Sequence, residues 1–138
     1  MIEQLRSQFG EVITSAEEVD REVRVYVLPH ALLEVARFCD THGYRYPADI
    51  TAVDTGEALR MVYRLFSFSD GNYVVLNVIL PRSGARVASL SGLFGAADWL
   101  EREVYDLFGV RFDGHPNLCR ILLTDDWEGH PLLKASKK

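Results

Sequence analysis

The chain has 138 residues, the size of one ordinary domain and enough to bury a substantial core. Hydrophobic residues make up 48% and charged residues 25%, a composition typical of a folded globular protein rather than a disordered one. The 15 basic and 20 acidic side chains give a formal net charge of -5. This argues against a nucleic-acid-binding protein, because such proteins usually carry a basic excess.

Cysteine content and hydropathy exclude further classes. The two cysteines, Cys39 and Cys119, cannot form a disulfide framework or hold an iron–sulfur cluster alone. The first residues lack the apolar core of a signal peptide, and the longest apolar stretch, 73–80, is much shorter than a membrane-spanning helix requires. We therefore expect any link to a membrane to run through partner proteins.

The first half of the chain alternates between helical and strand-like patterns. Apolar spacing predicts a short helix over 2–9, and alternation of apolar and charged residues predicts a half-buried strand over 22–28. A helix is predicted between Pro29, which favours a first helical turn, and Gly43. A second strand then follows over 44–54, and Pro47 near its start confines that part to a sheet edge or a bulge.

A β-hairpin is the clearest local prediction. Two strand-like runs, 60–69 and 72–80, are separated by Asp70-Gly71, which is typical of a type I′ turn in which both central residues adopt positive φ. The second run is mostly apolar on both faces, so we expect both faces to be covered. One cover is expected to be a helix of this chain, and the other a helix or a partner protein.

After residue 91 the apolar period becomes helical again. Asp98 and Glu101 resemble a capping box, and an apolar stripe over 97–108 predicts a helix that Gly109 ends. From residue 113 onward the chain is rich in glycine, proline, aspartate and histidine, yet it is apolar enough to require packing.

The order of the predicted elements indicates an α+β, two-layer fold. It consists of a mainly antiparallel sheet of about four strands with helices, followed by a long ordered C-terminal loop. No internal repeat or linker divides the chain, so we predict a single domain over 1–138. Its α+β core is expected at 22–112 and its ordered tail at 113–138.

The predicted helix carries a cluster of charged residues. Glu101, Glu103 and Asp106 could supply a carboxyl for acid–base work if burial raised its pKa. The favoured interpretation is a solvated or salt-bridged helix face, with Arg102 and Asp106 paired at a spacing of four residues. A third interpretation is a protein interface, because Trp99 shares a face with Glu103 and Asp106.

The tail repeats the tripeptide Gly-His-Pro at 114–116 and 129–131. His115 and His130 could belong to a metal site, although their spacing matches no standard zinc pattern. Other possible ligands nearby are Asp113, Cys119, Asp125 and Asp126. The favoured alternative is that each histidine caps or hydrogen-bonds a tight loop.

Two arginines flank the first of these loops. Arg111 and Arg120 could bind a phosphate or a partner's carboxylate, or could simply be surface residues. The sequence contains no glycine-rich phosphate loop, no GxSxG and no HExxH. The residues alone therefore indicate an interaction domain with an unusual tail.

The segment 99–133 resembles the signature region of one family. This is the thirty-kilodalton subunit of proton-pumping NADH:quinone oxidoreductase (respiratory complex I), with its hydrogenase and photosynthetic relatives. The family pattern E-R-E-x-x-D-x-[FY]-G matches 101–109, G-H-P-x-L-x-R-I-L matches 114–122, and a second G-H-P-L matches 129–132. The chain departs from the family at Cys119, where an arginine is usual.

The resemblance implies a non-redox structural subunit of a hydrophilic arm, with no cofactor or metal of its own. Its implied partners are the quinone-cavity (forty-nine-kilodalton-like) subunit and iron–sulfur subunits, on the cytoplasmic side of the cell membrane. NADH, FMN, iron–sulfur clusters and quinone would belong to the wider complex. The residues expected to act at interfaces or in structural contacts are Trp99, Glu101, Arg102, Glu103, Asp106, Gly109, His115, Pro116, Arg120, Trp127, Gly129, His130 and Pro131.

Two alternatives stay open. The same role could serve a membrane-bound hydrogenase or a ferredoxin-driven complex, since other subunits handle electron input. The chain could instead be a stand-alone metal-dependent hydrolase built on His115, His130 and the nearby aspartates.

Overall fold

The computed structural model describes residues 1–116 and residue 118. Three α-helices and seven strands follow one another in these residues, with two short 3-10 helices, Gly10–Val12 and Pro29–Ala31, between them. They are α1 (Ile2–Phe9), β1 (Ile13–Val19), β2 (Glu22–Val27), α2 (Leu32–Thr41), β3 (Tyr46–Asp54), β4 (Ala58–Ser67), β5 (Asn72–Pro81), β6 (Arg86–Ala88), α3 (Ala97–Phe108) and β7 (Arg111–Asp113). Of the described helices, none is both long enough and apolar enough to cross a lipid bilayer.

Five strands form one mixed sheet in the order β1-β2-β5-β4-β3. The pairing of β2 with β5 is parallel and the other pairings are antiparallel, while β6 and β7 form a separate parallel pair. The predicted α+β fold with a mainly antiparallel sheet is confirmed, but the sheet has five strands where about four were expected. The missed strand, β1, is an edge strand with mostly exposed residues, so it lacks the apolar alternation that marks a half-buried strand.

The core lies between the helices and one face of the sheet, which confirms the two-layer arrangement. Alternate residues of β4 are buried along its whole length, as expected for a strand with one face on a core. All three helices contribute fully buried side chains to this core, for example Leu5 from α1, Val35 from α2 and Ala97 from α3. The predicted ordered tail beyond these elements lies outside the described residues, apart from 113–116 and 118.

The β4–β5 hairpin forms as predicted, but its turn differs. Ser67 pairs with Asn72, so the loop spans the four residues 68–71 instead of two. Gly71 has a φ of 71°, whereas Asp70 is not in the left-handed region, so the predicted type I′ turn is wrong. The Ser67 hydroxyl organises the wider loop by accepting the backbone N–H of Asp70 at 3.4 Å and bonding the Ser69 hydroxyl at 3.1 Å.

Two other proline and glycine predictions are confirmed. Pro47 lies in β3, an edge strand of the sheet, at a shift in register between Pro47 and Asp49. Gly109 ends α3 with a left-handed conformation at φ 80° and ψ 12°. The capping box predicted for α3 is wrong, because Ala96 occupies the cap position, without a side-chain bond, and Asp98 lies inside the first turn.

Candidate partner interface around helix α3

The inner side of α3 includes a glutamate in its core-facing stripe. Ala97, Val104 and Phe108 are buried at helical spacing, and Glu101 occupies the position between them with no exposed surface. Asp106 is also fully buried. The solvated form of the predicted helix face is therefore wrong for both carboxylates, whereas its salt-bridged form, with Arg102 and Asp106 paired, stays a prediction.

Glu101 binds the segment that follows β6. One carboxylate oxygen accepts the backbone N–H of Leu90 at 2.7 Å, and the other accepts the Ser89 hydroxyl at 2.6 Å. The Ser89 hydroxyl also bonds that of Ser91 at 2.8 Å. Because both oxygens bond the chain's own groups, the geometry suits an anchor between α3 and residues 89–91 better than it suits a catalytic acid.

Burial shifts the pKa of the Glu101 carboxyl away from its ordinary value. Loss of hydration raises the pKa of Glu101 to about 7, and the hydrogen bonds from Leu90 and Ser89 and the nearby His115 only partly oppose that rise. The carboxyl can thus hold a proton close to neutral pH, so the strength of the anchor depends on pH.

The first Gly-His-Pro loop folds back onto α3. The buried ring of His115 places Nε2 3.0 Å from the Asp98 carboxylate Oδ1 and 3.1 Å from the Asp98 carbonyl oxygen. The backbone N–H of His115 donates to the carbonyl of Phe112 at 3.1 Å, and Gly114 supplies the positive φ of 85° that the turn requires. This arrangement fits the hypothesis that His115 anchors a tight loop, while Pro116 lies exposed beside it.

The outer side of α3 presents an ordered patch to its surroundings. Trp99 is 52% exposed, and its indole N–H donates to the Glu103 carboxylate at 2.9 Å. The Arg102 guanidinium lies 5.7 Å from the Trp99 ring centroid. We call these three residues the α3 patch. An exposed tryptophan held by charged neighbours has the composition of a protein-binding surface.

Several predicted residues fall outside the described part of the chain. They are Cys119, Arg120, Asp125, Asp126, Trp127, Gly129, His130 and Pro131. Within residues 1–116 and 118, no three histidine, cysteine, aspartate or glutamate side chains are grouped to hold a metal ion. Asp113 is paired with Arg86 at 2.7 Å, and Arg111 lies over the ring of Tyr105 at 5.7 Å from its centroid.

Sequence reasoning missed the partners of the Glu101 carboxylate. Ser89 and Leu90 contribute one hydroxyl and one backbone N–H, which leave no motif in the sequence. It also missed a buried ion pair at the end of β3, where both Asp54 oxygens accept from Arg82, at 2.9 and 3.0 Å. The Asp54 carboxylate additionally accepts the backbone N–H of Gly56 at 2.8 Å. The carboxylate lies far from Arg82 in sequence, so only the sheet brings the two together.

Comparisons with known proteins agree with the family resemblance. The family model described as the respiratory-chain NADH dehydrogenase 30 Kd subunit matches residues 25–138. A subunit of the NADH-quinone oxidoreductase of Citrifermentans bemidjiense is 40% identical over 134 residues, which are 94% of this chain and 83% of that protein. A trypsin-resistant fragment of Nqo5 has a TM-score of 0.73 and 29% identity, covering 85% of this chain and 96% of the fragment.

A chain of an archaeal respiratory membrane complex, the membrane-bound sulfane sulfur reductase, shares the fold with a TM-score of 0.80. Its identity to this chain is 22%, with coverage of 91% of this chain and 75% of that one, so this likeness concerns the fold alone. The match of the family model to most of the chain and the oxidoreductase relative of similar length together settle the family. The chain belongs to the 30 Kd subunit family of respiratory-chain NADH dehydrogenase.

Proposed function

We propose that this chain is a non-redox structural subunit of a complex-I-like NADH:quinone oxidoreductase, which holds electron-carrying neighbours in position. The observation that carries the proposal is that the two sides of α3 have different roles: one is fixed to the domain and the other is exposed. Its inner carboxylate Glu101 is bound to the chain's own backbone, while Trp99 on its outer side is half exposed and held by Glu103. A rigid helix with an exposed aromatic anchor is suited to binding a protein partner.

The proposed partners are the quinone-cavity (forty-nine-kilodalton-like) subunit and the iron–sulfur subunits of the same complex. In this proposal NADH, FMN, the clusters and quinone are bound by those other subunits, and this chain is peripheral on the cytoplasmic side of the membrane. Electron input lies elsewhere, so a hydrogenase-like or ferredoxin-driven complex would use the chain in the same way. Oxidation of NADH by the purified complex distinguishes an NADH:quinone oxidoreductase from a hydrogenase-like or ferredoxin-driven complex.

Affinity purification of the tagged full chain from detergent-solubilised membranes tests the proposal. The wild-type chain should recover cluster-bearing and quinone-cavity subunits in stoichiometric amounts. Trp99→Ala should lower that recovery at least about tenfold, since tryptophan anchors at interfaces typically contribute about 2 kcal/mol or more. Leu28→Ala is the matched control, because Leu28 is a large apolar residue that is 38% exposed but directly follows β2, away from α3 in the sequence.

A wild-type chain that purifies alone, as a stable monomer, would contradict the proposal. Equal losses of subunit recovery in Trp99→Ala and Leu28→Ala would assign the effect to general surface hydrophobicity. The α3 patch would then not be the binding surface.

A further inference from the structure

The sheet face opposite the helices contains a charged cleft of about 400 Å³. We call this face the open face, because all three described helices pack against the other one. The cleft crosses β1, β2, β5 and β4. The lining residues that matter below are Glu22, Arg24, Tyr26, Arg60, Arg64 and Asn77.

Two of the three arginines in the cleft already have a carboxylate. Arg24 Nε lies 2.9 Å from one oxygen of Glu22, and an Nη atom of Arg64 lies 2.8 Å from the other. These contacts, that of Arg24 above all, keep the pKa of Glu22 below its ordinary value. Both oxygens of Glu22 are therefore occupied, and this carboxylate is not available to the third arginine.

Arg60 lacks such a partner among the described residues. One of its Nη atoms donates to the Tyr26 hydroxyl at 3.3 Å, across the intervening strand β5. Its Nε–H is buried from water and meets no hydrogen-bond acceptor in the described part of the chain. A buried charged donor without an acceptor is costly, whereas a guanidinium facing a carboxylate can form two parallel hydrogen bonds.

Exposed aliphatic side chains frame this arginine on both sides. In the strand register Arg60 is directly opposite Val53 on β3 and Ile79 on β5. Val53 is 39% exposed and Ile79 is 47% exposed, so they are among the most exposed large apolar residues of the described chain. The surface around Arg60 thus presents a guanidinium that lacks a carboxylate partner among the described residues and is flanked by two exposed apolar side chains.

We infer that the open face binds an acidic segment of a partner subunit, with Arg60 anchoring an aspartate or glutamate side chain. Apolar residues on either side of that carboxylate would cover Val53 and Ile79. The inference rests on the proposed subunit role, since it requires a partner protein. It adds a second contact surface, on the layer of the domain opposite the α3 patch.

The geometry favours a partner over this chain's own C-terminal segment. The last described residues lie on the helical side, where His115 contacts Asp98 of α3 and Leu118 packs against the core. The open face is on the far side of the sheet from that point. The sequence beyond residue 118 also contains acidic and apolar residues, so the experiment must separate the two occupants.

Site-specific photocross-linking in the assembled complex tests this. A photoreactive p-benzoylphenylalanine is placed at Ile79, and as a control at Glu34, an exposed position on α2. We expect the probe at Ile79 to cross-link a peptide of another subunit that contains aspartate or glutamate. Arg60→Glu should then lower the cross-link yield about tenfold or more, and Arg60→Lys should lower it less, because it keeps the charge but loses the planar fork.

Folding is controlled by urea unfolding of each variant, and Arg60→Lys serves as the test if Arg60→Glu proves unstable. A cross-link from Ile79 to residues 119–138, to a second copy of this chain, or to a peptide without acidic residues would overturn the inference. So would unchanged yield in Arg60→Glu. If the chain assembles with its partners but the cross-linking results contradict the inference, the proposed function still holds and only the open-face contact is refuted. If the chain never assembles with other subunits, both the proposed function and the inference are refuted.

Discussion

The buried carboxyl of Glu101 predicts a specific pH dependence of stability. Its pKa is about 7 in the folded chain, against an ordinary value of 4.5, because burial disfavours the charged form. The folded state therefore binds this proton more tightly than the unfolded state. The stability that this proton contributes is fully present below pH 4.5 and is lost as the pH rises through about 7.

The magnitude follows from the two pKa values. Raising the pH from about 5 to about 8 should lower the free energy of unfolding by about 2–3 kcal/mol through this one group. Glu101→Gln removes the titration, and the amide can still accept the N–H of Leu90 and donate to the Ser89 hydroxyl. The variant should accordingly lose most of that slope while remaining close to the wild type at about pH 5.

Urea unfolding at several pH values measures the slope directly. Glu103→Gln is the matched control: it makes the same change on the same helix, but its carboxylate bonds the exposed Trp99 indole. It should leave the wild-type slope in place. Parallel curves for the wild type and Glu101→Gln would refute the reasoning, because they would mean that the Glu101 carboxyl does not titrate differently on folding.

Two further predictions concern backbone and ion-pair geometry. Asp54→Ala should destabilise the fold by about 3–5 kcal/mol, since it removes the carboxylate from a largely buried ion pair with Arg82 and an acceptor from Gly56. Arg86→Ala, which breaks an exposed pair, should cost under about 1 kcal/mol. Equal thermal shifts in the two variants would contradict this. Gly109→Ala should lower the free energy of unfolding by about 1–2 kcal/mol, because a Cβ atom is crowded in the left-handed conformation at φ 80°. Calorimetry that shows no change in stability would argue against this cap.

Most elements could be predicted because their apolar period is strong. The helix α1, the strands β2 to β5 and the helix α3 all place apolar side chains at the spacing that their geometry requires. The strand β1 could not be found this way, because its backbone pairs with β2 while its side chains are mostly exposed. The position of β1 is set by its pairing with β2, and the hydropathy pattern of its own residues does not predict it.

The environment of the α3 charges could be predicted only in part. Glu101 lies four residues after Ala97 and three before Val104, so its place in the buried stripe was visible in the spacing. Because glutamate side chains are rarely fully buried, the sequence nevertheless favours a solvated Glu101. The deciding contacts come from Ser89 and the Leu90 backbone, which only the tertiary fold brings to the carboxylate.

The parallel ladder between β2 and β5 has a consequence for how the chain reaches this structure. The β3–β4–β5 meander is built from sequence neighbours, so its strands can associate after closing only short loops. The ladder that joins β2 to β5 pairs Glu22 with Tyr73 and must first close the whole intervening loop, at a larger entropic cost. The β1–β2 ribbon is thus expected to dock after the meander has formed, which makes that docking the kinetically slow step in completing the core.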